Sequence, residues 1–163
     1  MTLSALWSDL WVYLLAGLIV VPSPVLMFLS SEAIAVALAL QGRSPVAISL
    51  ALSLGQLTGF TLLFIFGEEL CERSARLSAL RARLDLERFR PRAWPLLAVA
   101  SFSGLPPLNL STLAVSALGL PLRRVAPLIF CGRFVRYCVV ASLPGLFAQY
   151  FDLSWLPAWL APP

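Results

Sequence analysis

Histidine and lysine are absent from this 163-residue chain, and its three cysteines, Cys71, Cys131 and Cys138, form no Cys-x-x-Cys pair. Such a set argues against a zinc site, a disulfide framework and histidine-based catalysis. Charged residues are also few, at 12%, whereas 60% of the residues are hydrophobic and the mean hydropathy is +0.87. A soluble domain of this length needs more polar surface than that. The composition therefore predicts an integral membrane protein.

Two apolar halves flank one charged stretch. Each half has a short apolar part that is interrupted by prolines or glycines, followed by a run long enough to cross a bilayer. The long runs are expected at about Val46–Phe66 and Val125–Phe147. Pro22 and Pro24 should break or kink the earlier apolar run at residues 10–29, because proline removes a backbone donor. A complete span over residues 10–29 is the alternative. We divide this single membrane domain into a first half at 10–67, a connector at 68–92, a second half at 93–150 and an interfacial tail rich in tryptophan at 151–163.

The connector carries most of the charge of the chain. Its leucines at positions 70, 77, 80 and 84 recur near helical spacing among the charged residues. This pattern predicts an amphipathic helix at the membrane surface, and apolar character returns only after Pro95. Five acids and seven arginines lie here: Glu68, Glu69, Glu72, Asp85, Glu87, Arg73, Arg76, Arg81, Arg83, Arg88, Arg90 and Arg92.

The second half repeats the first at an offset of 77 residues. Gly42 then falls on Gly119, Gly55 falls on Gly132, and the hydropathy layout recurs. A hairpin that does not span, followed by one crossing, gives an odd number of crossings, so the second unit should be inverted relative to the first. With the connector in the cytoplasm, nine arginines lie inside and Arg43 alone outside, as the positive-inside rule favours. We therefore expect an all-α fold of two inverted repeats, each a re-entrant helical hairpin plus a transmembrane helix, joined by a cytoplasmic amphipathic helix.

Arg133 and Arg136 lie three residues apart, on one face of the last long segment. An arginine at membrane depth costs about 3 kcal/mol on insertion scales, so each one needs a carboxylate, a lipid phosphate or a water-filled cavity. The inverted arrangement brings Glu32 and Asn109, at the two hairpin tips, towards the membrane midplane, where Gln56 also lies. These five residues are the predicted substrate or coupling site. A structural Arg–Glu pair that holds hairpin to span is a competing interpretation.

Three short motifs resemble the DedA superfamily, also called VTT or SNARE-associated membrane proteins. The run Gly55-Gln56-Leu57-Thr58-Gly59, with Phe64 and Gly67, is similar to its Gly-x3-Gly-x4-Tyr/Phe-x2-Gly pattern. Ser31-Glu32-Ala33 followed by Gly42 resembles the acidic hairpin element that precedes this pattern. Gly132-Arg133-Phe134-Val135-Arg136-Tyr137 resembles the Gly-Lys-x-x-Arg-Tyr element of the YqaA-like branch. Independently of the family, Gly55, Gly59 and Gly132 are predicted to be close-packing positions between helices.

The resemblance implies two opposed re-entrant hairpins in a multi-pass protein of the bacterial inner membrane. It also implies transport or scrambling of lipids; recycling of polyprenyl-phosphate carriers is known for some relatives, and drug or ion homeostasis is claimed for others. The chain departs from the family at Leu29-Ser30, where prolines usually precede the hairpin glutamate, and at Asn109, near which the branch tends to carry an acid.

Three functions of different classes remain open. The first is a translocator of an anionic lipid, in which the headgroup passes Arg133 and Arg136. The second is a proton-coupled exporter of a small solute with Glu32 as coupling group. The third is a non-transporting accessory subunit of a larger membrane complex. We predict no enzyme activity, no cofactor and no nucleic-acid partner; the expected partners are membrane lipids with anionic headgroups, and a homo-oligomer or a membrane complex is possible.

Overall fold

The computed structural model describes residues 3–26, 30–73, 86–105, 107–151, 153, 156–157 and 159–160. Within these ranges the regular structure is helical, without strands. A short 3-10 turn, Ala148–Tyr150, follows the last helix. The helices are α1 (Leu3–Val20), α2 (Ser31–Leu40), α3 (Pro45–Arg73), α4 (Leu86–Ser103), α5 (Leu108–Ala117), α6 (Leu122–Ser142) and α7 (Pro144–Phe147).

Two described helices are long and apolar enough to cross a membrane. They are α6 and the part of α3 from Pro45 to Phe66, which has 22 residues. About 20 apolar residues are enough for a hydrocarbon core of about 30 Å. The predicted second span extended to Phe147, but α6 ends at Ser142. Leu143 leaves helical geometry with a φ of −126°, and Pro144 starts α7.

The proline-rich break in the first half is confirmed. Helix α1 ends at Val20, and residues 21–25 form turns that include Pro22 and Pro24. Residues 10–29 therefore do not form one continuous helix. Only Leu10–Val20 counts as an apolar helix there, and it is shorter than a span.

Helices run across both predicted ends of the connector. Helix α3 continues to Arg73, because glutamate and arginine are good helix formers. Helix α4 starts at Leu86 and contains Pro91 and Pro95, so the expected start of the second half lies inside a helix. Ala93, Leu97 and Ala100 of α4 are buried in the core, and this packing holds the helix together although each proline removes a backbone donor. The middle of the predicted connector helix, residues 74–85, lies outside the described residues.

The bounds of the helices recur at the offset of 77 residues. Shifting α2 by 77 gives the bounds of α5, and shifting the start of α3 gives the start of α6. Both short helices end in the same way, at glycines with positive φ: 76° at Gly42 and 65° at Gly119. The amide of each glycine donates to the carbonyl three residues earlier, and the next amide donates to the carbonyl five residues earlier. This is the Schellman ending, in which glycine takes the left-handed position without steric cost.

The two halves also pack across one another. Each short helix contacts the long helix of the other half, α2 against α6 and α5 against α3, and the two long helices contact each other. Helix α2 is almost entirely enclosed, since seven of its ten residues are buried. The core forms two apolar clusters, one around α2 and one between α3, α4, α5 and α6.

The three glycines predicted to pack helices closely lie at helix contacts. A Cβ atom on Gly55 would overlap the backbone carbonyl of Gly17 in α1, and one on Gly59 would overlap that of Val21. A Cβ atom on Gly132 would lie 2.5 Å from the Cβ atom of Ser101 in α4. The backbones approach one another at positions where a larger side chain has no space.

The described part of the tail packs on the protein through two leucines. Leu156 and Leu160 are buried in the cluster that surrounds α2. The Gln41 side chain donates a hydrogen bond from Nε2 to the carbonyl of Trp159, at 3.2 Å. Trp155 lies outside the described residues.

Candidate anion site at the ends of the short helices

Glu32 lies in the first turn of α2. The hydroxyl of Ser30 caps this helix by accepting a hydrogen bond from the Ala33 amide, at 3.2 Å. A carboxylate in the first turn is stabilised by the positive end of the helix dipole. Local sequence therefore places Glu32 in a favourable position before any contact with α6 is considered.

Both predicted arginines meet this carboxylate. Arg136 Nε lies 2.9 Å from Glu32 Oε1, and Arg133 Nη1 lies 3.4 Å from the same oxygen. The two guanidinium groups approach together because they are three residues apart on α6. One carboxylate neutralises only one unit of charge, so the group of three keeps a net positive charge.

Other contacts hold each arginine in place. Arg136 Nη1 donates to the carbonyls of Phe102 and Ser103, which end α4 and would otherwise lack helical partners. Gly104 follows with a φ of 82°, and a Cβ atom there would lie 3.1 Å from Arg136 Nη1. The guanidinium carbon of Arg133 lies 5.7 Å from the ring centroid of Phe60, within cation–π range.

A hydroxyl network supports the carboxylate. Ser31 Oγ donates to Glu32 Oε2, at 3.2 Å, and accepts hydrogen bonds from Tyr137 Oη at 2.7 Å and Gln56 Nε2 at 2.9 Å. Gln56 Nε2 also donates to Ser23 Oγ, at 3.1 Å. Ser31 and Tyr137 were not predicted as site residues from the sequence. The signal for Tyr137 was its position four residues after Arg133, on the same helical face.

All five predicted site residues line one cavity of about 270 Å³: Glu32, Gln56, Asn109, Arg133 and Arg136. The first residues of α2 and of α5 belong to the same wall, so the positive ends of two short helices meet there. Gln56 Oε1 and Arg133 Nε are buried without a hydrogen-bond partner within the described part of the chain. Both side chains are over nine-tenths buried. Buried polar atoms of this kind normally have a partner.

No protein-family model, no curated protein and no solved structure matches this chain. The function must therefore be inferred from the site itself.

The cavity has the chemistry of an anion site. Its described lining carries two guanidinium groups and one carboxylate, and two helix N-termini add partial positive charge. Its volume lies just below the range of about 300–1,000 Å³ that is typical of pockets for drug-sized ligands. This space suits a phosphate-sized group better than a whole lipid.

Proposed function

We propose that the protein spans a bacterial inner membrane several times and moves a phosphate-headed lipid between the leaflets, as a DedA-like transporter or scramblase. The observation that carries this proposal is the excess of guanidinium charge at a cavity lined by two helix N-termini. Without a bound lipid, Glu32 forms ion pairs with both arginines. An entering phosphate replaces Glu32 as the partner of one or both guanidinium groups, since guanidinium groups bind phosphate in bidentate geometry.

We also propose that the two halves are inverted repeats whose short helices belong to re-entrant hairpins. The recurrence of helix bounds at 77 residues and the crosswise packing of α2 and α5 support this architecture. The enclosure of α2 supports it further, because a non-spanning segment at membrane depth must be covered by protein. In this arrangement the cavity lies near the midplane, where such transporters bind their substrates.

The test is lipid exchange in proteoliposomes that contain a fluorescent phosphate-headed lipid. Arg136→Ala should abolish leaflet exchange, because it removes the group that contacts both Glu32 and the end of α4. Arg123→Ala is the matched control, since Arg123 is exposed and does not line the cavity. Folding of each variant is checked by its unfolding temperature. Normal exchange by folded Arg136→Ala would remove this residue from the mechanism.

One observation favours a proton-coupled exporter as the second candidate. Glu32 places a carboxylate at the cavity with a side chain that is still 16% exposed, so a solute or proton can reach it. The same proteoliposomes distinguish the two functions. An exporter loses its response to a pH gradient in Glu32→Gln and moves no lipid in either form.

A further inference from the structure

A second, apolar pocket lies against the same ion pair. Glu32 and Arg136 line both the polar cavity and this pocket, which has a volume of about 220 Å³. We call it the tail pocket, and its remaining lining residues are Phe102, Ser103, Val139, Val140, Phe147 and Phe151. We propose that the tail pocket binds the first part of the hydrocarbon chain of the lipid whose phosphate enters the polar cavity. This inference rests on the proposed function.

The lining of the tail pocket is suited to a hydrocarbon chain. Three phenylalanines reach it from three separate places: the end of α4, the end of α7 and the residue after the 3-10 turn. Aromatic rings offer large apolar contact areas. Apart from the ion pair, Ser103 is the one polar residue in the described lining. A free phosphate ion would make no use of these rings.

The Glu32–Arg136 ion pair lies between the polar cavity and the apolar tail pocket. A ligand with its phosphate at Arg136 on the polar side has its next atoms beside Phe102 and Val140 on the apolar side. An amphipathic anion therefore matches both compartments at once, whereas a small anion fills only one. This match of charge and apolar surface selects a lipid over inorganic phosphate as the occupant.

The pocket has an exposed apolar rim through which the rest of the chain can leave. Phe102 is 52% exposed and Val139 is 44% exposed. In a bilayer such a rim borders acyl chains. A pocket of about 220 Å³ holds only the start of a long chain, so the remainder stays in the membrane.

The experiment compares two phosphate monoesters that share a headgroup. Lysophosphatidic acid carries one acyl chain, and glycerol phosphate carries none. Their binding to the full chain, in nanodiscs of phosphatidylcholine, is measured by titration. We expect the lipid to bind at least about tenfold more tightly, and Phe147→Ala to remove about that factor for the lipid while it leaves glycerol phosphate unchanged. Leu146→Ala is the matched control, because Leu146 is exposed on the same short helix and does not line the pocket.

Phe147 also packs against the core, so a second variant is needed in case Phe147→Ala does not fold. Val139→Trp fills the pocket from its exposed rim without removing core contacts, and it should weaken binding of the lipid alone. Equal affinity for both monoesters, or normal lipid binding by folded Val139→Trp, would overturn the tail pocket. If Arg136→Ala still weakens both ligands in that case, the proposed function stands. If neither ligand depends on Arg136, both proposals are overturned.

Discussion

Replacing Glu32 with glutamine removes the negative charge of this side chain and keeps its size and shape. The amide oxygen can still accept a hydrogen bond from Arg136, but both guanidinium groups lose the carboxylate that pairs with them. Arg133 is only 7% exposed, so most of its surface has no access to bulk water. Removing one member of a buried ion pair costs about 3–5 kcal/mol. A typical domain has about 5–15 kcal/mol of stability, so the unfolding midpoint of purified Glu32→Gln should fall clearly.

The same substitution should make stability depend more strongly on phosphate. Without Glu32, an added anion meets both guanidinium groups and no competing carboxylate. A ligand at 100 times its dissociation constant stabilises a protein by about 2.7 kcal/mol. Unfolding is measured in phosphate and in chloride at equal ionic strength, with Arg123→Gln as an exposed control. The charge balance inferred for the cavity is refuted if Glu32→Gln unfolds at the wild-type midpoint, or if phosphate stabilises it no more than the wild type.

Two further predictions concern packing and the hydroxyl network. Gly55→Ala should lower the free energy of unfolding by about 1–3 kcal/mol, because its methyl group would overlap the carbonyl of Gly17. Gly145→Ala, which meets open space, should lose no stability in the same denaturation assay, and equal stability of the two variants would contradict the close approach of α1 and α3. Tyr137→Phe removes the hydrogen bond to Ser31 and should cost about 0.5–1.5 kcal/mol. An unchanged unfolding free energy would show that this bond does not stabilise the fold.

Hydrophobic length predicted the two long helices well. The apolar part of α3 begins within one residue of the predicted position and ends at the predicted Phe66. Gly42 and Gly119 were recognised as equivalent turn positions, and both adopt the positive φ that glycine allows. These features are local: a run of apolar residues and a glycine carry their own structural preference, whatever surrounds them.

Features that depend on tertiary packing were predicted less well. Pro95 marked the return of apolar character, yet α4 continues through both Pro91 and Pro95, because one of its faces is buried against α5 and α6. The packing of Leu156 and Leu160 around α2 was likewise not predicted from the aromatic content of the tail. In both cases the packing partners belong to other helices, so the local sequence does not specify them.

The charged residues of the site could be predicted because polar residues are scarce in the apolar segments. A charge inside apolar segments needs a partner, and Glu32 is the only acid in the apolar stretches of either half. Its contact with Arg133 and Arg136 was therefore one of the few arrangements that the sequence allowed. A hydroxyl group does not need a distant partner, since a serine in a helix can donate a hydrogen bond to a carbonyl of the same helix, as Ser49 and Ser101 do. Ser31 was therefore noticed only as part of a motif and not as a member of the site. Charge determines which residues meet, whereas the neutral network that orients them depends on the packing of α2 against α6.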